Sequence, residues 1–261
     1  MKTFLYGSLA VVAAAALLGA CGRQDSTTYL VMGTNAEFPP FEMRGGPGGT
    51  KVVGFDVEVA KAIAAKVGLP LKIEDMKFDS LLPALDAGKV DMVLAGMTIT
   101  PDRARNVDFS APYYKATQVV LIRKGDPAPT RKEDLQGRTV AVQLGTTGAG
   151  VAVELAGQEN VRQFTSTMDA VVELMNTKVD FVVIDEQPAI NFQKRNAPDL
   201  DLVRLAFADE FYGVAVKKGN AELLARVNEA LAEIVADGRY DQFVDQWLIQ
   251  APDPAAETAA E

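Results

Sequence analysis

The sequence predicts an α/β protein of two similar lobes, each a mostly parallel sheet covered by helices. Three observations predict it. Short apolar runs alternate with stretches whose apolar residues recur every three to four positions, the patterns of strands and amphipathic helices in turn. The runs Val90–Ala95 and Val179–Ile184 are apolar almost throughout, as strands buried on both faces are. One segment is also echoed. Leu85-Asp86-Ala87-Gly88-Lys89-Val90-Asp91-Met92-Val93 is matched by Leu174-Met175-Asn176-Thr177-Lys178-Val179-Asp180-Phe181-Val182. Each copy reads as a helix end, a tight turn, Lys-Val-Asp and an apolar strand. Chance similarity between two βα units is one reading of the echo. Two α/β lobes, the second starting after about residue 117, is the other.

The elements follow in order. Tyr29–Gly33 is a strand. Gly54–Gly68 is a helix, because Phe55, Val59, Ile63 and Val67 recur at i+4 and Gly68 stands where a helix stops. Ser80–Ala87 is a helix, followed by the strand Val90–Ala95. Gln118–Arg123 and Thr139–Gln143 are strands, Gly148–Ala156 and Met168–Asn176 helices, and Val179–Ile184 a buried strand. Tyr212–Val216 is a strand, Ala221–Asp237 a helix and Tyr240–Trp247 a short amphipathic stretch. Open α/β sheets bind ligands beyond the carboxyl ends of their strands. The two echoed strands run out at Gly96 and Asp185, so two facing lobes would bring those ends to one cleft.

Composition narrows the chemistry. The chain has 261 residues, no His, one Cys and a formal charge of −9, with 48% hydrophobic and 23% charged residues. Without His there are no His-based triads or His metal sites, and one Cys forms no internal disulfide or Cys-rich zinc site. The acidic balance argues against a nucleic-acid partner, which needs a basic surface. No cofactor or metal is expected.

Residues 1–20 stand apart from the domain. Lys2 is followed by Thr3–Gly22 without any charge, an apolar run and small residues at Gly19-Ala20, the layout of a secretory signal. An uncleaved anchor is the alternative, since the uncharged run nearly suffices to span a bilayer. Leu18-Gly19-Ala20-Cys21 resembles the bacterial lipobox, which makes residues 1–20 a lipoprotein signal peptide and Cys21 the lipidated mature N-terminus. Residues 21–28 then form a polar tether, and 251–261, rich in Ala, Pro and Glu, a disordered tail.

Several groups between the tails have binding chemistry. In Gly96-Met97-Thr98-Ile99-Thr100-Pro101-Asp102-Arg103, Gly96 permits close backbone approach, Thr98 offers a hydroxyl, and Arg103 can grip a carboxylate with two parallel hydrogen bonds. Arg103 could equally be a surface residue paired to Asp102 or Asp108. Gly145-Thr146-Thr147-Gly148 opens a helix, whose free N–H groups attract anions, with Thr147 adding a hydroxyl; an ordinary N-cap is the alternative. Asp185, closing a buried strand, needs a positive partner: a ligand ammonium, or a structural Lys or Arg. Phe38 and Phe78 stand in loops, either as core or as rings to stack on a ligand.

Together these segments resemble the extracytoplasmic solute-binding proteins for polar and basic amino acids that serve ABC importers. The likeness covers almost all of 29–250. It is carried by Gly33-Thr34…Pro40-Phe41-Glu42, Val53-Gly54-Phe55-Asp56-Val57, Gly96-Met97-Thr98-Ile99-Thr100…Arg103, Phe109-Ser110-Ala111-Pro112-Tyr113-Tyr114 and Gly145-Thr146-Thr147. The resemblance implies the type II periplasmic-binding-protein fold, with two mixed sheets flanked by helices and joined by a two-strand hinge. It implies a first lobe of 28–114 plus 212–250 and a second of 118–208. It gives Arg103 and Thr147 the ligand carboxylate, Gly96 and Thr98 the ligand's backbone groups, Asp185 the ammonium, and Phe38 and Phe78 the side chain.

By the same resemblance Asn35 and Gln143 stand where relatives read the ligand side chain. Both are neutral amides. Glu37, next to Phe38, would draw a cation. Lys115-Ala116-Thr117-Gln118-Val119-Val120 looks most like arginine-binding members, so arginine or another basic or polar amino acid is the expected ligand. The implied partners are the free amino acid, the permease subunits and, through the lipid, the membrane. A monomer in the periplasm or at the cell surface is expected, and no enzyme. The competing readings are a cyclohexadienyl (prephenate or arogenate) dehydratase on the same scaffold and an amino-acid sensor module.

Overall fold

The computed structural model describes residues 28–196 and 199–250. The expected signal peptide and Cys21, most of the tether and the acidic tail lie outside the described residues.

The chain opens with β1 (Leu30–Thr34), then a small antiparallel sheet of β2 (Glu37–Phe38), β3 (Glu42–Gly45) and β4 (Lys51–Val53). Helix α1 (Phe55–Val67) follows, then β5 (Leu71–Asp75), α2 (Leu81–Asp86), β6 (Met92–Val93), the single turn α3 (Pro101–Ala104) and β7 (Val107–Phe109). The long β8 (Tyr114–Arg123) crosses to β9 (Val140–Gln143), α4 (Thr147–Ala156), β10 (Val161–Phe164), α5 (Thr167–Met175), β11 (Phe181–Asp185), α6 (Glu186–Asn196) and β12 (Leu200–Val203). Strand β13 (Asp209–Tyr212) returns to β14 (Ala215–Lys217), and α7 (Ala221–Ala236) and α8 (Arg239–Phe243) end the fold.

These strands make two larger mixed sheets. One runs β5-β1-β6-β14-β7, the other β10-β9-β11-β8-β12. In each, three neighbouring strands are parallel, the fourth (β14 or β8) runs antiparallel to them, and the edge strand beyond it (β7 or β12) is antiparallel to the fourth. The lobes are joined by the first part of β8 and by β13, which pair antiparallel from Tyr114↔Tyr212 to Thr117↔Asp209. An aromatic group closes the first lobe where these strands leave it. Phe41 meets Tyr114 at 4.9 Å and Tyr212 at 5.3 Å, both edge to face, a favourable arrangement for ring quadrupoles.

Helix α1 follows its sequence pattern. Phe55, Val59 and Ile63 are fully buried, and Gly68 ends the helix in the left-handed region (φ 81°) with its N–H on the Ala64 carbonyl. Gly54 before it is obligatory: φ is 138°, and a Cβ there would stand 2.1 Å from the Phe41 carbonyl oxygen.

The sequence echo is a structural repeat. Both copies run from a helix end into the third parallel strand of a sheet. Lys89 N–H donates to Ala84 O and Lys178 N–H to Glu173 O, each at 2.9 Å. The Asp91 carboxylate accepts from Val31 N–H (2.8 Å), and that of Asp180 accepts from Thr139 N–H (2.9 Å), so each aspartate ties its strand to the chain at the start of the neighbouring strand. The turn is left-handed in both, with φ 68° at Gly88 and 59° at Thr177. A β-branched residue is strained there by about 1–2 kcal/mol. Thr177→Gly is therefore expected to stabilise the protein by about 0.5–1 kcal/mol once the extra freedom of unfolded glycine is subtracted. Thermal unfolding should show a rise of roughly 1–3 °C.

Four expected elements differ. The strand expected at Gln118–Arg123 begins at Tyr114, because its first part pairs with β13 between the lobes. The strand expected at Val90–Ala95 shortens to Met92–Val93, because the chain leaves the sheet at Leu94 to form the loop carrying Gly96. The strand expected at Tyr212–Val216 is two strands, β13 and β14. Between them Gly213 N–H donates to Met97 O (3.0 Å), and a Cβ on Gly213 would meet the Ile99 side chain at 2.8 Å. Tyr240–Trp247 is the helix α8 followed by a wider turn, Val244–Ile249, that buries Trp247 completely.

Candidate functional site

The nine residues singled out in the sequence all border one cavity between the lobes. Most stand at or just beyond the carboxyl ends of strands: Asn35 after β1, Gly96 and Thr98 after β6, Gln143 at the end of β9, Asp185 at the end of β11. This is the place where open α/β sheets gather ligand-binding groups. The lobes touch here, and the free space inside is only about 10 Å³, room for about one water.

Arg103 is not a surface residue paired to its neighbours. Asp102 pairs with Arg105 and Asp108 with Lys218. The Arg103 guanidinium instead turns inward. It donates to Thr98 O at 2.7 Å in its own lobe and to Gly145 O at 2.9 Å in the other, and it lies over the Phe78 ring at 5.4 Å from the centroid. Burial lowers its pKa, opposed by the fields of Glu210 and Asp185. Thr100 caps α3 by accepting from Arg103 N–H (3.2 Å), which fixes the turn that presents the guanidinium.

Thr146 is the N-cap of α4, accepting from Ala149 N–H at 3.2 Å. The capping alternative therefore belongs to Thr146, and Thr147 is free to point its hydroxyl into the cleft. Asp185 is hydrogen-bonded to Gln118 Nε2 at 3.0 Å and faces the Tyr212 hydroxyl, rather than a lysine or arginine. Burial, with Glu210 adding to it, pushes Asp185 up to about 7. A second, larger cavity of about 260 Å³ lies against the connecting strands and also reaches Asp185.

Gly96 owes its place to buried carboxylates behind it. Asp56 accepts from Gly96 N–H (2.9 Å) and from the Tyr113 hydroxyl (2.8 Å). Burial raises Asp56 to about 6, and raises the adjacent, fully buried Glu42 well above the usual carboxylate range. Gly96 itself has φ 54°, and a Cβ there would strike the Phe38 ring at 2.7 Å. Glycine at 96 is what lets Phe38 lie against the floor of the cleft.

The expected side-chain readers are engaged with one another. Gln143 Nε2 donates to Asn35 Oδ1 across the lobes at 2.8 Å, while Thr167 Oγ1 donates to Gln143 Oε1 at 2.8 Å. Glu37 is ion-paired to Lys77 at 2.9 Å, so its pull on a cation is largely cancelled. Sequence reasoning missed Gln118, Tyr212, Thr167 and above all Glu210. Strand alternation carried the only signal for Glu210: two residues before Tyr212, it lies on the same face.

Two α/β lobes on a two-strand hinge, with a cationic fork and a buried carboxylate in the cleft between them, define a solute-binding protein of the type II periplasmic-binding fold. The chain belongs to the bacterial extracellular solute-binding proteins, family 3, which it matches over residues 30–250. It is 35% identical to a probable histidine-binding protein of Neisseria gonorrhoeae, over 98% of this chain and 99% of that one. It is 34% identical to ABC transporter arginine-binding protein 1 of Escherichia coli (strain K12), over 84% of this chain and 90% of that one. Among solved structures, an ancestral arginine-binding protein bound to glutamine superposes with a TM-score of 0.79 at 42% identity, covering 84% of this chain and 97% of that one.

Proposed function

We propose that this protein captures a free amino acid outside the cytoplasm and delivers it to an ABC importer, with a basic amino acid, arginine first, as its ligand. The carrying observation is the placing of Arg103 on one lobe and Asp185 on the other, around one cleft. A zwitterion needs a fixed cation and a fixed anion separated by its Cα. Arg103 with Thr147 receives the carboxylate, Gly96 and Thr98 the backbone groups, and Asp185 the ammonium. Phe38 and Phe78 flank the side chain, which enters where Arg103 now covers Phe78. Asn35 and Gln143 part from each other to read its tip. The histidine- and arginine-binding relatives favour a basic side chain. The lobes are taken as 28–114 plus 212–250 and 118–208.

The site is nearly full in the closed arrangement, so ligand entry requires the lobes to separate, and binding is linked to closure. A thermal-shift screen against the twenty amino acids tests the reading, since a ligand of the native state raises its melting temperature. Arginine should give the largest shift. A flat response to all twenty would sink the amino-acid assignment. Turnover of prephenate or arogenate would favour the enzyme instead.

The protein is read as a monomeric lipoprotein tethered through Cys21, at the periplasmic membrane face or the cell surface. Cys21→Ser is expected to release it, or to leave its signal uncleaved. Fractionation of cells making a signal-less Cys21→Ser form checks this: continued membrane retention would reject the lipid anchor.

A further inference from the structure

We propose that Glu210 is a specificity-determining residue whose carboxylate occupies the seat meant for the ligand's carboxylate, so that an amino acid binds by displacing it. This rests on the carboxylate-binding role proposed above for Arg103 and Thr147, with Thr98 beside them at the ligand's backbone groups.

Glu210 lies on β13, one of the two connecting strands, and belongs to neither wall of the cleft. One of its oxygens, Oε2, accepts from the Thr98 hydroxyl of the first lobe at 2.9 Å and from the Thr147 hydroxyl of the second at 2.7 Å. The other, Oε1, is 3.4 Å from Gln118 Nε2. Its charge acts on the Arg103 guanidinium, and Thr147 is the first residue of α4, where the helix N-terminus favours an anion. Two hydroxyls, a nearby guanidinium and a helix N-terminus are the donors that a free amino acid's carboxylate requires.

The seat admits one carboxylate at a time. A threonine hydroxyl has a single O–H to donate, and both Thr98 and Thr147 spend theirs on Glu210 Oε2. A second carboxylate beside the first would also meet like-charge repulsion in a half-buried site. An incoming amino acid therefore has to turn Glu210 away, and its measured affinity is what remains after that exchange. Because Thr98 and Thr147 come from opposite lobes, the same carboxylate draws the lobes together before any amino acid arrives. A ligand that lacks a carboxylate has no such contest with Glu210 and gains nothing from its removal.

The test is the isosteric Glu210→Gln variant, first checked for an unfolding midpoint close to that of the unsubstituted protein. Calorimetry would use L-arginine and agmatine, which has the same side chain and amine without the carboxylate. Arginine is expected to bind the variant at least about tenfold more tightly, a change of roughly 1.4 kcal/mol, whereas agmatine binding should not tighten. Small-angle X-ray scattering without amino acid should show a larger radius of gyration for Glu210→Ala, which leaves no acceptor to bridge the two hydroxyls. Weakened or unchanged arginine binding would overturn the proposal, because Glu210 would then be a ligand contact or a bystander. So would an unchanged radius of gyration. If the unsubstituted protein binds no arginine, the amino-acid reading has failed for that ligand, and scattering still decides whether Glu210 bridges the lobes.

Discussion

Arg103→Ala is expected to lower amino-acid affinity by about two orders of magnitude or more, corresponding to roughly 3 kcal/mol. The variant would leave a ligand carboxylate in a half-buried cleft without its cation. It would also remove the donors to Thr98 O and Gly145 O, and the second of these is a contact between the lobes. Arg103→Lys separates the two effects. It keeps the charge but cannot form a planar fork, so it should recover only part of the affinity. Calorimetry on both variants checks this. Near-native binding by Arg103→Ala would remove Arg103 from the site.

The second large effect is a dependence on pH. Asp185 titrates near 7 because it is buried beside Glu210, and a ligand ammonium would hold it ionised. Below about pH 7 the protein must release that proton to bind, so affinity falls with falling pH. Between pH 8.5 and 5.5 the loss should approach about thirtyfold. Calorimetry in buffers of different ionisation heat would show the released proton directly. A flat pH profile would mean that Asp185 does not meet the ammonium. Stability runs in the opposite direction. The folded pKa lies above the ordinary 3.8, so the stabilising effect of the proton is full below that value and is lost as pH rises through about 7. Asp185→Asn should therefore unfold at a higher temperature than the unsubstituted protein at pH 8, while binding far more weakly. pH dependence near neutrality that survives in this variant points first to the buried carboxylates behind Gly96, Asp56 raised to about 6 and Glu42 raised beside it.

What the sequence reveals depends on how local the determining physics is. Helix α1 was legible because its apolar spacing and its glycine stop are properties of a dozen consecutive residues. The repeat was legible because Asp91 and Asp180 do the same job at the same distance from a helix end. The small sheet β2–β4 was not read, since strands of two to four residues among glycines and prolines carry too little alternation. Strand β10, Val161-Arg162-Gln163-Phe164, lies at a sheet edge and has no apolar run to betray it. Helix α6 was also missed. It holds Pro188 in its first turn and many polar residues, and it follows directly on Asp185.

The cleft was legible for a different reason. Arg103, Thr147 and Asp185 each had an ordinary structural explanation nearby, and only their combination in one family pattern pointed to a shared site. Distance removed those explanations: Asp102 and Asp108 have other partners, and Thr146 does the capping. Glu210 was invisible because its meaning lies in two hydroxyls from Thr98 and Thr147, which are far from it in sequence.

The amide bridge from Gln143 to Asn35 has a kinetic consequence. It joins two neutral groups, both buried, so ionic strength hardly alters its strength. An acidic protein of formal charge −9 nevertheless attracts a cationic solute from a distance, and that attraction is screened by salt. Arrival and escape thus answer to different forces. Added salt should slow the association rate of arginine while leaving its dissociation rate, set by parting of the closed lobes, nearly constant.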